Sequence, residues 1–167
     1  MATARIRIPC NFWPNTTTNP NAYHDVLATD TNAFQSQGVV CPDGAISDVC
    51  FRQTEGFPAT IHGTPNPKLR VTLWTTATGT NNYKLQWAAN LITKGTTASN
   101  FTASFASGTV ASGGQYVPTV IEFTLSGTPT TDKLYEGTLR RDGTDVADAI
   151  VGVAQIIEVL IVADDTT

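Results

Sequence analysis

Nucleophilic catalysis needs a nucleophile, a base to take its proton and a group to orient that base. Only two histidines, His24 and His62, are available as bases. They stand in Tyr23-His24-Asp25 and Ile61-His62-Gly63, and neither adjoins a nucleophile signature. Both read as loop histidines. Glycoside hydrolysis would need two paired carboxylates, and Glu55, Glu122, Glu136 and Glu158 are present. Their spacing defines no pair. Glu122 alternates with Ile121 and Phe123, and Glu158 interrupts an apolar run, so both read as outward residues of strands. No catalytic residue is expected, and the chain reads as a non-enzyme.

The only spacing with metal character is Asp142-Gly143-Thr144-Asp145-Val146-Ala147-Asp148, where Asp142, Asp145 and Asp148 share one loop. It departs from the EF-hand pattern, and turn aspartates commonly accept backbone N–H bonds, so a cation loop is only the secondary reading. No cofactor is expected. Cys10, Cys41 and Cys50 form neither C-x-x-C nor an even set and read as small packed thiols. The remaining chemistry is aromatic. Trp13, Tyr23 and Tyr116 could stack on sugar rings, and Trp74 reads as an outer-face residue that is packed by a neighbouring subunit or loop or exposed for binding, a placement that usually marks an interface.

The elements that must position these side chains are strands. Lys68–Thr75 puts Leu69, Val71 and Leu73 on one face and Arg70, Thr72 and Trp74 on the other. Tyr83–Ala89 alternates equally well, and Thr78-Gly79-Thr80-Asn81-Asn82 between the two predicts a hairpin. Further strands are expected at Phe101–Phe105, Val117–Leu125, Leu134–Leu139 and Val151–Val162, the last bending or bulging near Gly152. Residues 1–66 read as a loop-rich segment with short strands at Arg5–Ile8, Val49–Phe51 and Ala59–Ile61. The expectation is a single all-β domain over 1–167, an antiparallel β-sandwich whose regular strands lie in 67–167.

Composition excludes several partners. The formal charge of −4 and the single basic pair Arg140-Arg141, beside Asp142, argue against nucleic acid. The most apolar segment, Ile150–Ala163, is short for a membrane span and carries Gln155 and Glu158. Ala2–Ile8 reads as a strand rather than a secretion leader, in keeping with synthesis in a reducing cytoplasm.

From Leu69–Trp74 to the end, the order of strands resembles small virion proteins of tailed bacteriophages, among them jelly-roll capsid decoration or cement proteins. The segments that carry it are Tyr83-Lys84-Leu85-Gln86-Trp87, Val120–Leu125, Leu134–Gly143 with Leu139-Arg140-Arg141-Asp142, the Asp145–Asp148 turn and Gly152–Val159. The resemblance implies a jelly-roll, trimeric structural subunit on the outer capsid surface, bound to the major capsid protein at capsomer junctions. Under it Trp13, Trp74, Tyr23, Arg140 and Arg141 are the interface residues, and Arg5–Asn21 is a capsid-facing arm. The alternative from a different class is a receptor- or carbohydrate-binding domain of a head or tail fibre.

Overall fold

The computed structural model describes residues 3–28, 35–59, 67–95 and 106–166. These form ten strands and no helix: β1 (Thr3–Pro14), β2 (Tyr23–Ala28), β3 (Gln35–Cys41), β4 (Ile46–Gln53), β5 (Lys68–Thr75), β6 (Asn82–Thr93), β7 (Ala106–Ala111), β8 (Thr119–Thr124), β9 (Lys133–Asp142) and β10 (Ala154–Thr166). Pairing is antiparallel and nested: β3 with β10, β4 with β9, β5 with β8, β6 with β7. The result is one sheet ordered β3-β10-β5-β8 and a second ordered β4-β9-β6-β7. That wrapping is a jelly roll, so the expected all-β, antiparallel sandwich of jelly-roll type is the fold.

Two strands elaborate the pattern. β2 extends the β10 sheet beyond β3. β1 belongs to both sheets: Thr3–Pro9 pairs with β10, and Cys10–Pro14 pairs with β4. Pro9 stands where the strand changes sheet, a position that suits a residue with no N–H to offer a ladder. Its carbonyl accepts the Thr54 backbone N–H at 3.0 Å and the Thr54 hydroxyl at 2.9 Å. Leu69, Val71 and Leu73 of β5 and Ile156, Val159 and Ile161 of β10 then meet Val49 and Phe51 of β4, Leu85 of β6 and Leu139 of β9 in one buried core.

Three expectations change. Residues 1–66 are not chiefly loop, because four strands fall there and the twelve-residue β1 ties the sheets together. Their polar, Pro- and Asn-rich sequence hides this, since β1 buries only alternate residues such as Ile8 and Cys10. Arg5–Asn21 is accordingly no arm. After β1, Asn15 Oδ1 accepts the N–H groups of Thr17 and Thr18, the Asn15 N–H donates to Asp48 O, and Asn21 Nδ2 donates to Ile46 O, which pins the loop along β4.

β5 and β6 do not form the expected hairpin. β5 pairs with β10 and β8, whereas β6 pairs with β9 and β7, so the intervening turn carries the chain from one sheet to the other. Alternation tells which side chains face a core, not which of two sheets lies behind them. The irregularity in β10 falls between Ile156 and Glu158, past Gly152, whose φ of 138° serves the turn before the strand. The expected strand at Phe101–Phe105, and Ala59–Ile61 beyond Ala59 itself, lie outside the described residues.

Candidate binding face on the β9 sheet

Antiparallel register sorts the outward side chains of the β9 sheet into rows. Trp13, Cys50, Thr138 and Ala88 form one row across β1, β4, β9 and β6. Asp48, Arg140 and Gln86 form the row on one side, and Asn11, Arg52, Glu136 and Asn90 the row on the other. The middle row is low, because past Trp13 it holds only small side chains, and the flanking rows are tall. Trp13 remains 40% exposed at the end of this trough. A depression of about 170 Å³ lies against it, lined by Cys50, Phe51, Glu136, Gly137 and Thr138.

The walls are held by cross-strand ion pairs. Arg140 grips Asp48 with both ends of its fork, Nε to Oδ1 at 2.6 Å and Nη2 to Oδ2 at 2.9 Å. Asn19 Nδ2 adds a bond to Oδ2 at 3.0 Å, made possible by a left-handed backbone at Asn19 with φ 49°. The bond to Asp48 holds the Arg140 guanidinium above its ordinary value. On the opposite wall Arg52 donates from Nε at 2.9 Å and approaches with Nη2 at 2.7 Å, both to Glu136 Oε2. In the floor, burial pushes the Cys50 thiol up, partly offset by its bond with Thr138.

The other outward aromatics are placed differently. Trp74 is only 4% exposed, which corrects its reading as an interface residue. Its indole N–H donates to Gln155 Oε1, and Tyr116 packs edge-on with ring centroids 6.0 Å apart. Gln155 in turn donates to Asp25 O at 3.1 Å. Tyr23 is 45% exposed, but its register with Val40, and through Val40 with Gln155, puts it on the outer face of the β10 sheet. Trp13 and Tyr23 therefore face opposite sides of the sandwich and cannot share one ligand platform.

Arg141 is 1% exposed and cannot be an interface residue either. All five of its N–H donors are used. Asp148 takes two, at 3.0 and 2.9 Å, and the carbonyls of Cys41, Gly152 and Ile150 take the rest, at 3.0, 2.8 and 2.8 Å. Asp148 also accepts the Lys84 N–H at 3.0 Å, so its carboxylate is committed to structure. Asp142 accepts both the N–H and the hydroxyl of Thr144, and Asp145 accepts the Ala147 N–H. The three acids of the supposed cation loop thus turn to separate partners, and no cluster of metal-ligating residues occurs among the described residues. His24 lines a hollow with Asp25, Gln37 and Gly38 on the β10 sheet, and His62 lies outside the described residues.

Asp48, Arg52 and Thr138 were not singled out from the sequence, and Glu136 and Cys50 were weighed there only as a catalytic carboxylate and a packed thiol. Their signal was present as Asp-x-Cys-x-Arg in β4 and Glu-x-Thr-x-Arg in β9, two outward triplets whose charges pair when the strands run antiparallel.

No family model matches the chain, and no curated protein is similar to it. Among solved structures it is similar to TmCBM61 in complex with β-1,4-galactotriose, at 8% identity over 92% of this chain and 87% of that one, with a TM-score of 0.45. It is similar to the CBM22-1 xylan-binding domain of Xyn10C from Paenibacillus barcinonensis, at 13% identity over 93% and 87%, TM-score 0.46. It is also similar to the enzymatically active domain of tailspike protein 4 of bacteriophage CBA120, at 12% identity over 92% of this chain and 19% of that one, TM-score 0.40. At such distances these neighbours say nothing about what this chain binds.

Proposed function

We propose that the chain is a non-catalytic saccharide-binding domain, and that it holds a neutral glycan in the trough of the β9 sheet against Trp13. The observation that carries this reading is an exposed indole at the end of a low row of small side chains, walled by two ion pairs. An indole face accepts the C–H side of a pyranose ring, while Glu136, Arg52, Asn11 and Asn90 offer donors and acceptors for hydroxyls. The ion pairs fix these long side chains beforehand, so less rotamer entropy is lost when a ligand binds. They also cancel each other's charge, which favours a neutral ligand over an ionic one.

The dimensions suit such a ligand. Four strands at about 4.8 Å spacing give a trough roughly 14 Å long, and walls four residues apart stand about 13 Å from each other. The capsid-lattice reading rested on a resemblance in strand order, and it implied Trp74 as an interface residue and Arg5–Asn21 as a capsid-facing arm. Both are folded into the domain, so the carbohydrate-binding alternative becomes the main proposal.

A glycan array followed by calorimetric titration of the best ligand tests it. Trp13→Ala should weaken that ligand by about tenfold or more, as expected when an aromatic anchor is removed. Undiminished binding by Trp13→Ala, or no saccharide bound at all, would overturn the proposal. Co-sedimentation with undecorated phage heads, unaffected by Trp13→Ala, would restore the lattice reading in its place.

A further inference from the structure

The chain contains two Asp-Gly dipeptides, Asp43-Gly44 and Asp142-Gly143, and no Asn-Gly. In such a pair the main-chain nitrogen of the glycine can add to the aspartate's own side-chain carboxyl, because the glycine has no Cβ to shield it. The fold brings the two pairs together. Asp142 ends β9 opposite Ile46 at the start of β4, and Asp43-Gly44 lies in the turn between β3 and β4. They share a composition and a place, yet their glycines are held differently.

Gly143 is locked. Its N–H donates to Ala45 O at 3.0 Å, and a Cβ at this position would stand 3.0 Å from that oxygen and 3.1 Å from the Gly44 nitrogen. Asp142 Oδ1 is itself engaged, by the Thr144 N–H at 3.2 Å and the Thr144 hydroxyl at 2.6 Å. The Gly143 nitrogen can turn to the Asp142 carboxyl only after these bonds break, which raises the barrier to attack.

Gly44 is open. Its φ is 67°, and nothing lies within 4 Å of where a Cβ would stand. Among the described residues its N–H meets one acceptor, Oδ1 of Asp43, at 2.9 Å. Oδ1 is bonded to Cγ, so the nitrogen already sits in the contact range from which it can bond to that carbon. The Asp43 side chain is 41% exposed, so water reaches it. Arg141 Nη2 lies 3.6 Å from Oδ1, but its two N–H groups go to Asp148 and Ile150 and leave the carboxyl free to turn.

We propose that Asp43-Gly44 is a modification site, where the folded chain isomerises spontaneously to isoaspartate while Asp142-Gly143 stays intact. The Gly44 nitrogen bonds to Cγ of the protonated Asp43 carboxyl and gives up its proton. The carboxyl hydroxyl leaves with that proton as one water, and a succinimide ring closes. Water then adds to the ring. Opening at Cγ restores Asp43, and opening at the former main-chain carbonyl leaves Gly44 joined through Cγ. The water lost is returned, so no oxidant or co-reactant is needed. The product carries one extra main-chain carbon between β3 and β4.

Prolonged warm incubation of the full chain at neutral pH in heavy-oxygen water, followed by digestion and mass spectrometry, tests the site. Ring opening leaves one heavy oxygen at the residue that reacted, and an isoaspartyl methyltransferase then esterifies only the isoaspartate. Folded protein should gain both marks at Asp43 about tenfold or more faster than at Asp142. In urea, where only local sequence acts, the two rates should converge. Asp43→Ala should remove the mark there and leave Asp142 as it was. Equal rates in the folded protein, or a mark at Asp43 that appears only in urea, would overturn the proposal. The same preference for Asp43 in urea would overturn it too, because the fold would then not be its cause. No saccharide enters these measurements, so the trough and the modification site stand or fall separately.

Discussion

Arg140 and Arg141 are adjacent in β9 and end in opposite surroundings. Arg140 points outward, pairs with Asp48 and helps to wall the trough. Arg141 points inward, beside the Tyr83 ring, and spends every donor on Asp148 and three carbonyls. One residue type in one strand thus serves a surface and an interior. The period of two turns neighbouring side chains to opposite faces, and the solvent on each side then sets their value. Asp48 is buried beneath a partly exposed Arg140, whereas Arg141 and Asp148 are both shut off from water, and a buried charge is costly to leave alone.

The largest effect should come from breaking the interior pair. Arg141→Met strands the fully buried Asp148 carboxylate and leaves three carbonyls without their donor, at a cost of about 3–5 kcal/mol. Urea denaturation measures this, and a loss below about 1 kcal/mol would erase the contrast between the two arginines.

Alkali should strike the same interior next. Burial pushes the Cys10 and Cys41 thiols from 9.0 to about 12, and the Tyr83 and Tyr135 phenols from 10.0 to about 12. Each group is a weak acid whose proton is held more tightly in the folded state. Its stabilisation is complete below the unfolded value and is lost as pH rises from about 9 towards 12. Urea midpoints should therefore fall steadily across that window. A flat profile would mean that the interior admits solvent around these groups.

Arg140→Gln should cost less than Arg141→Met, about 2 kcal/mol, because Asp48 keeps the bond from Asn19. Its larger consequence should be on ligand binding, since one wall of the trough loses its brace. Equal stability losses for the two arginine variants would show that Asp48 is as dependent on its partner as Asp148. Smallest of all should be the stability change in Trp13→Ala, within about 0.5 kcal/mol, as for an exposed side chain outside the core. Unchanged melting with lost saccharide binding would separate the trough from the scaffold.

Much of the scaffold was legible in the residues. Alternation in Lys68–Thr75 assigned Leu69, Val71 and Leu73 inward, and they are fully buried. The same reading put Arg70, Thr72 and Trp74 outward, which holds, but outward did not mean exposed. Trp74 is covered because Tyr116, on a loop more than forty residues further along the chain, folds over it and Gln155 satisfies its N–H. No local pattern contains that contact. In residues 1–66, short apolar spacing concealed strands whose stability comes from pairing with β10 and β9 rather than from their own propensity.

By itself the sequence determined the class: β-branched composition, period-two runs and turn residues admit little other than an antiparallel sandwich, because backbone hydrogen bonding and one-sided burial are local requirements. Only the tertiary structure decided the rest. It sent β5 and β6 to different sheets, carried β1 from one sheet to the other at Pro9, and set Asp48 against Arg140 and Arg52 against Glu136. Register between strands separated by some ninety residues is a property of how the chain wraps, and each strand alone is indifferent to it.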